Sequence, residues 1–238
     1  MYAMITFVLN PILSTMKQQN TASSSTKKTA RKKHGYHHGD LRRTLLDSAL
    51  HLIETHGVAA LSMRELAKQA GVSPAAPFRH FESRTALLTA LAEEAMDHFV
   101  VMINLHLEAA AKQGALAQFR AIGVAFLCWA LEHPTHFQVI SSRKLIDFEK
   151  STLRQRNDDI RETMAGLMQA ASKQGLLREG DVSRYVIGAR ALAYGIARMY
   201  VDGQFPSWEL NEKSALVEAT AILDQYIASI SSATTHED

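Results

Sequence analysis

Cysteine is nearly absent from this chain of 238 residues; Cys128 stands alone. A single thiol excludes an intrachain disulfide and suits a reducing cytoplasm. Its neighbours Phe126, Leu127 and Trp129 favour a buried, inert thiol over a reactive one. Proline is scarce, with five in all, and aromatic residues make up only 7%. No stretch alternates polar and apolar residues over a useful length, which argues against β-strands. Residues 1–16 are apolar and uncharged, but Pro11 interrupts them and no basic residue precedes the apolar run. They lack the opening of a signal peptide and are too short to span a bilayer. Met4 and Met16 are both alternative starts, so an extended, mis-assigned translation start is one expectation.

Catalytic signatures are missing too. There is no Gly-rich phosphate loop, no nucleophile elbow with a Ser/His/Asp order, and no pair of Glu-x-x-His helices. Adjacent His37 and His38 have no carboxylates or thiols beside them to close a metal-ligand set. Glu132, His133 and His136 straddle Pro134, which ends a helix, so helix capping is the better reading. No metal, no cofactor and no enzymatic activity are expected. A helical-bundle enzyme, or a small-molecule-binding protein without DNA function, is the alternative.

What is present is charge asymmetry. The net charge is only +2. Yet Lys17–Arg84 carries 12 basic and 5 acidic residues, and the remainder 14 basic and 19 acidic. A basic front with an acidic rear fits nucleic-acid binding by the front alone. Residues 17–39 hold Lys27, Lys28, Arg31, Lys32, Lys33, His34, His37 and His38 and cannot build a core. They read as a disordered arm in which Lys32 and Lys33 follow a DNA backbone or enter the minor groove. A solubilising tail is the plainer reading. Attachment to a membrane surface through residues 1–39 is a third.

The pattern is densest at residues 62–81. Ser62 followed by Glu65 is a capping box that starts a helix at Met63. Gly71 suits the left-handed end of that helix. Ser73 then caps a second helix with Pro74 at its first position. Pro77 removes the first intrahelical hydrogen bond, so the first turn of this helix should be loosened or tightened. Two short helices joined this way form a helix-turn-helix, whose second helix enters the DNA major groove. Asp40 is expected to cap a preceding helix that runs to His56, with Leu45, Ala49, Leu52, Ile53 and His56 inward.

Behind this head every periodic segment is helical. Helices are predicted from Ser83 to about Gly114, over 115–133, and briefly to Ser142. After a polar connection at 143–150, further helices run from about Ser151 to Gly175 and from Asp181 to the break at Phe205-Pro206-Ser207. A last one runs from Trp208 to Ile230. Gly188 and Gly195 suggest close helix approach. The fold class is all-α, with a three-helix head and a larger C-terminal helical bundle. The predicted divisions are a 1–39 arm, a 40–82 DNA-binding domain, an 83–232 ligand-binding and dimerisation domain and a 233–238 tail.

Residues 41–91, above all Gly57 to Phe81 with Arg84 and Leu87-Leu88, resemble the DNA-binding head of the TetR family of transcriptional repressors. The run from Tyr36-His37-His38-Gly39-Asp40 through Pro77-Phe78-Arg79-His80-Phe81 is similar to one branch. That branch has a Trp-His-Gly signature near its end, where this chain reads Ala193-Tyr194-Gly195. The resemblance implies a cytoplasmic, nucleoid-associated homodimer that binds a palindrome in double-stranded DNA. It also implies a bundle that takes a small-molecule effector.

Carried over by position, Ser62 and Arg64 meet phosphate, and Arg64 is also near a base edge. Ser73, Pro74, Ala75 and Ala76 form the leading tip of the recognition helix; they suit thymine methyls and close backbone approach. Arg79 can read guanine, while His80 and Arg84 hold phosphates. Phe78 lacks the hydroxyl of the family's usual Tyr, so only a packing role carries over. The apolar stripes of the last two helices exceed what one partner helix covers. They make Tyr185, Leu192, Ile196, Leu216, Leu223, Tyr226 and Ile227 the expected dimer surface. Phe119, Phe126, Trp129, Phe137, Met164, Met168 and Tyr194 are the candidate walls of an apolar effector pocket, with plain core the competing reading.

Overall fold

A computed structural model describes residues 38–232, apart from the side chains of residues 38–40 and 212. Lys32, Lys33 and the rest of the expected arm lie outside the described residues. Among the described residues eight α-helices follow in order: α1 His38–His56, α2 Met63–Gln69, α3 Arg84–Ala110, α4 Ala115–Glu132, α5 Pro134–Ser141, α6 Thr152–Lys173, α7 Val182–Val201 and α8 Ala215–Ile230. Among the described residues there is no strand, only one antiparallel bridge between Leu177 and Ser231.

Local chemistry explains the helix starts. The Ser62 hydroxyl accepts from Glu65 N (3.2 Å) and that of Ser83 from Ala86 N (3.1 Å). The Asp181 carboxylate accepts from Ser183 N at 2.8 Å. Each bond satisfies an otherwise unpaired donor of a first turn. Gly71 takes φ 67°, as its place after α2 requires.

Three boundaries differ from expectation. Helix α1 already includes His38, so Asp40 lies inside it rather than at its cap. The chain after Phe205 does not enter a helix at Trp208. Phe205 is buried, Glu209 turns left-handed, and bonds centred on Asn211 delay α8 until Ala215. The third difference lies in the second helix of the helix-turn-helix, described with the site below.

Helix α4 sits at the centre of the bundle, packed against α3, α5, α6, α7 and α8. It is long and apolar enough to cross a membrane by length and composition. Five packed neighbours supply a reason for that apolarity within the fold. Helix α3 is the spine that joins head to bundle. Its Leu87 and Leu88 are fully buried in one continuous core with Leu45, Ile53 and Leu66 of the head, and so are Leu91 and Ala95. A second core joins α4, α7 and α8 around Leu127, Ile196, Phe205, Leu223 and Ile227. Helix α8 closes on α4 at Gly123, where a Cβ would stand 2.8 Å from Leu223 Cδ2.

Candidate nucleic-acid interface and effector cavity

The head is held from below. Leu66 and Ala67 of α2, with Pro77 and Phe81 beyond it, are buried, and the Arg42 guanidinium lies over the Phe81 ring at 5.2 Å. Above them, residues 73–81 do not form a regular α-helix. Ser73 O accepts from Ala76 N, Ala76 O from Arg79 N, and Pro77 O from both His80 N and Phe81 N. Pro77 has no N–H to continue an α-helical ladder from Ser73, so the segment winds into two tight turns. The tightened turn expected from Pro77 has spread to the whole segment.

This geometry exposes Arg64, Ser73, Pro74, Ala75, Phe78 and Arg79, while Ser62, Ala76 and His80 are half-buried. Phe78, expected to pack, is instead 53% exposed, because the turn aims Pro77 inward in its place. Arg84, expected at a phosphate, is instead turned into the head. Its Nη2 donates to Val58 O at 2.6 Å and to Ala59 O at 3.3 Å, tying the start of α3 to the turn after α1.

Between head and bundle lies a charged junction that sequence reasoning missed. Arg43 of α1 donates to Glu94 of α3 at 2.7 Å and to Asp47 at 2.9 Å. Glu94 also faces His136 of α5 at 3.6 Å. His98, His133 and His136 form a triangle with ring centroids 5.4 to 5.8 Å apart. Pro134 is at the first position of α5 and leaves His133 at its cap, so the two histidines share a side. Burial first, then the His98 charge, lowers the pKa of both His133 and His136. The i,i+4 spacing of Glu94 and His98 was a legible signal. Their pairing with α5 was not. Among the described residues no group of three or more His, Cys, Asp or Glu is set to hold a metal ion.

In the bundle, an apolar cavity of about 50 Å³ is lined by Phe119, Phe126, Met164 and Tyr194, with Phe99, Ile122, Ile160 and Arg190 among its other walls. Four of the seven expected pocket residues therefore meet there. Trp129, Phe137 and Met168 do not. They are at most 1% exposed and pack in the core, where Trp129 stacks behind Phe99 at 5.1 Å and Phe126 at 6.0 Å. Beyond Ile122 and Ile160, which both spaces share, lies a second cavity of about 340 Å³. It opens between α3 and α6 and is partly polar, with Asn104, Arg156, Asp159 and Thr163 in its walls. Burial pushes the Cys128 thiol up to about 11, in line with an inert role.

The expected dimer surface is only half available. Ile196, Leu223 and Ile227 are buried within the chain itself, in the α4–α7–α8 core. Tyr185, Leu192, Leu216 and Tyr226 are half-buried. The large apolar side chains that α7 and α8 leave outside are Ile187, Tyr194 and Val217, at 66, 41 and 56% exposure.

Comparison with known proteins agrees with this architecture. Residues 45–91 match the profile of bacterial regulatory proteins of the tetR family, and residues 119–222 match a tetracyclin repressor-like C-terminal domain. The nucleoid occlusion factor SlmA of Serratia proteamaculans is 27% identical over 187 residues, covering 75% of this chain and 93% of that protein. A Rhodococcus sp. RHA1 protein of unknown function is 32% identical, with a TM-score of 0.62, over 84% of this chain and all of that one. The TetR family regulator PfmR of Thermus thermophilus shares the fold at 21% identity and a TM-score of 0.63, over 77% of this chain and 97% of its own. With both halves matched in order and the head and bundle built as described, the chain belongs to the TetR family of DNA-binding transcriptional regulators.

Proposed function

We propose that the protein is a repressor that binds a palindromic operator as a homodimer and leaves it when a small, largely apolar effector enters the bundle. The observation that carries this reading is the exposed row Arg64, Ser73, Pro74, Ala75, Phe78 and Arg79 on a head braced from beneath. Arg64 and Arg79 serve phosphate and guanine, the small residues admit the backbone edge, and Phe78 offers an apolar face to thymine methyls. Ser62 and His80 flank this row as phosphate contacts, and Lys32 and Lys33 of the arm are assigned to the DNA backbone. Residues 40–82 act as the DNA-binding unit and 83–232 as the effector and dimer unit.

One such head reads few base pairs, and a two-fold dimer multiplies the discrimination. Ile187 and Val217 supply the exposed apolar anchors of that contact, flanked by Tyr185, Leu192, Leu216 and Tyr226. An effector that prefers one bundle state changes the spacing of the two heads through α3 and the Arg43–Glu94 link. The test is a gel shift on DNA upstream of the protein's own gene at rising salt. Binding should weaken steeply as phosphate contacts are screened. Absent or salt-insensitive binding overturns the reading.

A further inference from the structure

The arginines of the bundle are mostly neutralised. Arg120 pairs with Asp224, Arg156 with Asp97, and Arg198 with Asp202. Arg154, Arg161 and Arg184 also have carboxylate partners. Arg143, Arg178 and Arg190 form no ion pair among the described residues, but Arg178 donates to Ser231 O, away from the cavity. Burial first, and then the charge of Arg190, lowers the pKa of Arg143. Arg190 lines the apolar cavity beside Tyr194, whose ring packs on Phe137 at 5.5 Å. Arg143 lies over the Phe148 ring at 3.3 Å, and its Nη2 is 3.4 Å from Asn157 Oδ1. Glu149, the acidic group that acts on Arg143, already pairs with Arg154. Arg190 is therefore a cation in the wall of an apolar chamber with no carboxylate at ion-pair distance, and Arg143, whose nearby acid is already paired, adds positive charge in its neighbourhood; the arrangement suits an anion.

We propose that the effector is a small amphipathic carboxylate, its aryl or short aliphatic body in the Phe119–Phe126–Met164 chamber and its carboxylate on Arg190. This deepens the effector reading above and rests on it. The chamber, at about 50 Å³, is smaller than the roughly 150 Å³ apolar cavity known to hold a benzene ring, so an aryl body enters only as the walls move. Ile122 and Ile160 separate it from the 340 Å³ cavity, so rotation of these two side chains would extend it for a longer chain. Arg190 grips the bound carboxylate in bidentate fashion, and Arg143, held by Phe148 and Asn157, adds positive charge in its neighbourhood.

The test uses the full chain with Trp208→Phe, which leaves Trp129, behind two cavity walls, as the fluorescent reporter. Benzoate and hexanoate are titrated against benzyl alcohol and hexanol, with no DNA present. The carboxylates should saturate the signal and bind about tenfold tighter than the matched alcohols, as expected for a charge-assisted contact. Arg190→Gln should remove that preference while leaving alcohol binding unchanged, and Arg143→Gln should reduce it. Because Arg190 is exposed, an unchanged melting temperature verifies folding. Equal binding of carboxylate and alcohol, a preference that survives both substitutions, or no binding by either class overturns the assignment. Release from DNA is measured separately. Arg190-dependent binding without release upholds this site and counts against the effector-released repressor. DNA binding released only by uncharged compounds upholds the repressor and overturns the carboxylate.

Discussion

The Arg43 guanidinium of α1 and the Glu94 carboxylate of α3 meet at 2.7 Å, and this contact ties the DNA-binding head to the bundle. Glu94 is the less exposed partner, at 21% against 47%. Solvent reaches the arginine, so the pair contributes modestly, about 1 kcal/mol or less. Its importance lies in position. Glu94→Gln should lower the melting temperature by only a few degrees. It should weaken the response of DNA affinity to an effector far more. Thermal unfolding and gel shifts with and without effector check both halves of this expectation.

Stability should fall on the acid side. His133 and His136 are held below their ordinary pKa in the folded chain, so the unfolded chain binds protons first as pH drops. Their contribution is fully present above about 6.5 and is lost as pH falls from there through their lowered folded values. Glu94, which faces His136, opposes the loss and His98 deepens it. In melting curves between pH 7.5 and 5, His133→Asn with His136→Gln should flatten the decline. An unchanged slope would show that other groups govern it.

At the tip of the head, Arg64→Ala and Arg79→Ala should leave melting unchanged, since both side chains are exposed. Each should lower operator affinity by about 1–3 kcal/mol if it reads a base, and Arg79 should also relax sequence preference. Phe78→Ala should be neutral for stability, being 53% exposed, and harmful to DNA binding. Binding isotherms on operator and scrambled DNA separate these effects.

Helix α7 needs a glycine where Tyr226 crosses it. The Tyr226 hydroxyl donates to Tyr185 O at 2.9 Å, and a Cβ on Gly188 would fall 2.2 Å from that hydroxyl oxygen. Gly188→Ala should therefore cost about 1–3 kcal/mol, as overpacking does. Gly195→Ala should be mild, because nothing lies within 4 Å of its added carbon. Denaturant melts of the two variants provide the contrast.

The outer faces of α7 and α8 should carry the dimer. Ile187→Asp with Val217→Asp adds charge at positions that are 66 and 56% exposed in the single chain, so folding should persist. Light scattering should show a monomer with much weaker operator binding. A dimer that tolerates both substitutions places the interface elsewhere.

Much of the fold was written in local chemistry. Ser62, Ser83 and Asp181 announced helix starts because a short oxygen-bearing side chain bonds to the first free N–H groups of its own helix. Gly71 announced an end because a left-handed residue was required there. The start of α2 and the turn after it were therefore legible, while the roles of Asp40, Phe78 and Arg84 in the head were not. Pro77 even foretold an altered turn, although its effect reached further than one turn.

Periodicity names the inward face of a helix but not the element that face meets. Trp129, Phe137 and Met168 looked equivalent to Phe119, Phe126 and Met164 along the chain. Only packing put the first three in solid core and the others at a cavity. Ile196, Leu223 and Ile227 looked like dimer contacts until α4 was found beneath them. Arg43 and Glu94 are brought together from distant parts of the sequence. By itself the sequence determined most of the helices, the caps at Ser62, Ser83 and Asp181 and the turn at Gly71, because those rest on bonds between near neighbours. Tertiary structure alone decided which charges are paired, which apolar residues border empty space and which remain outside, because those depend on contacts between separate helices.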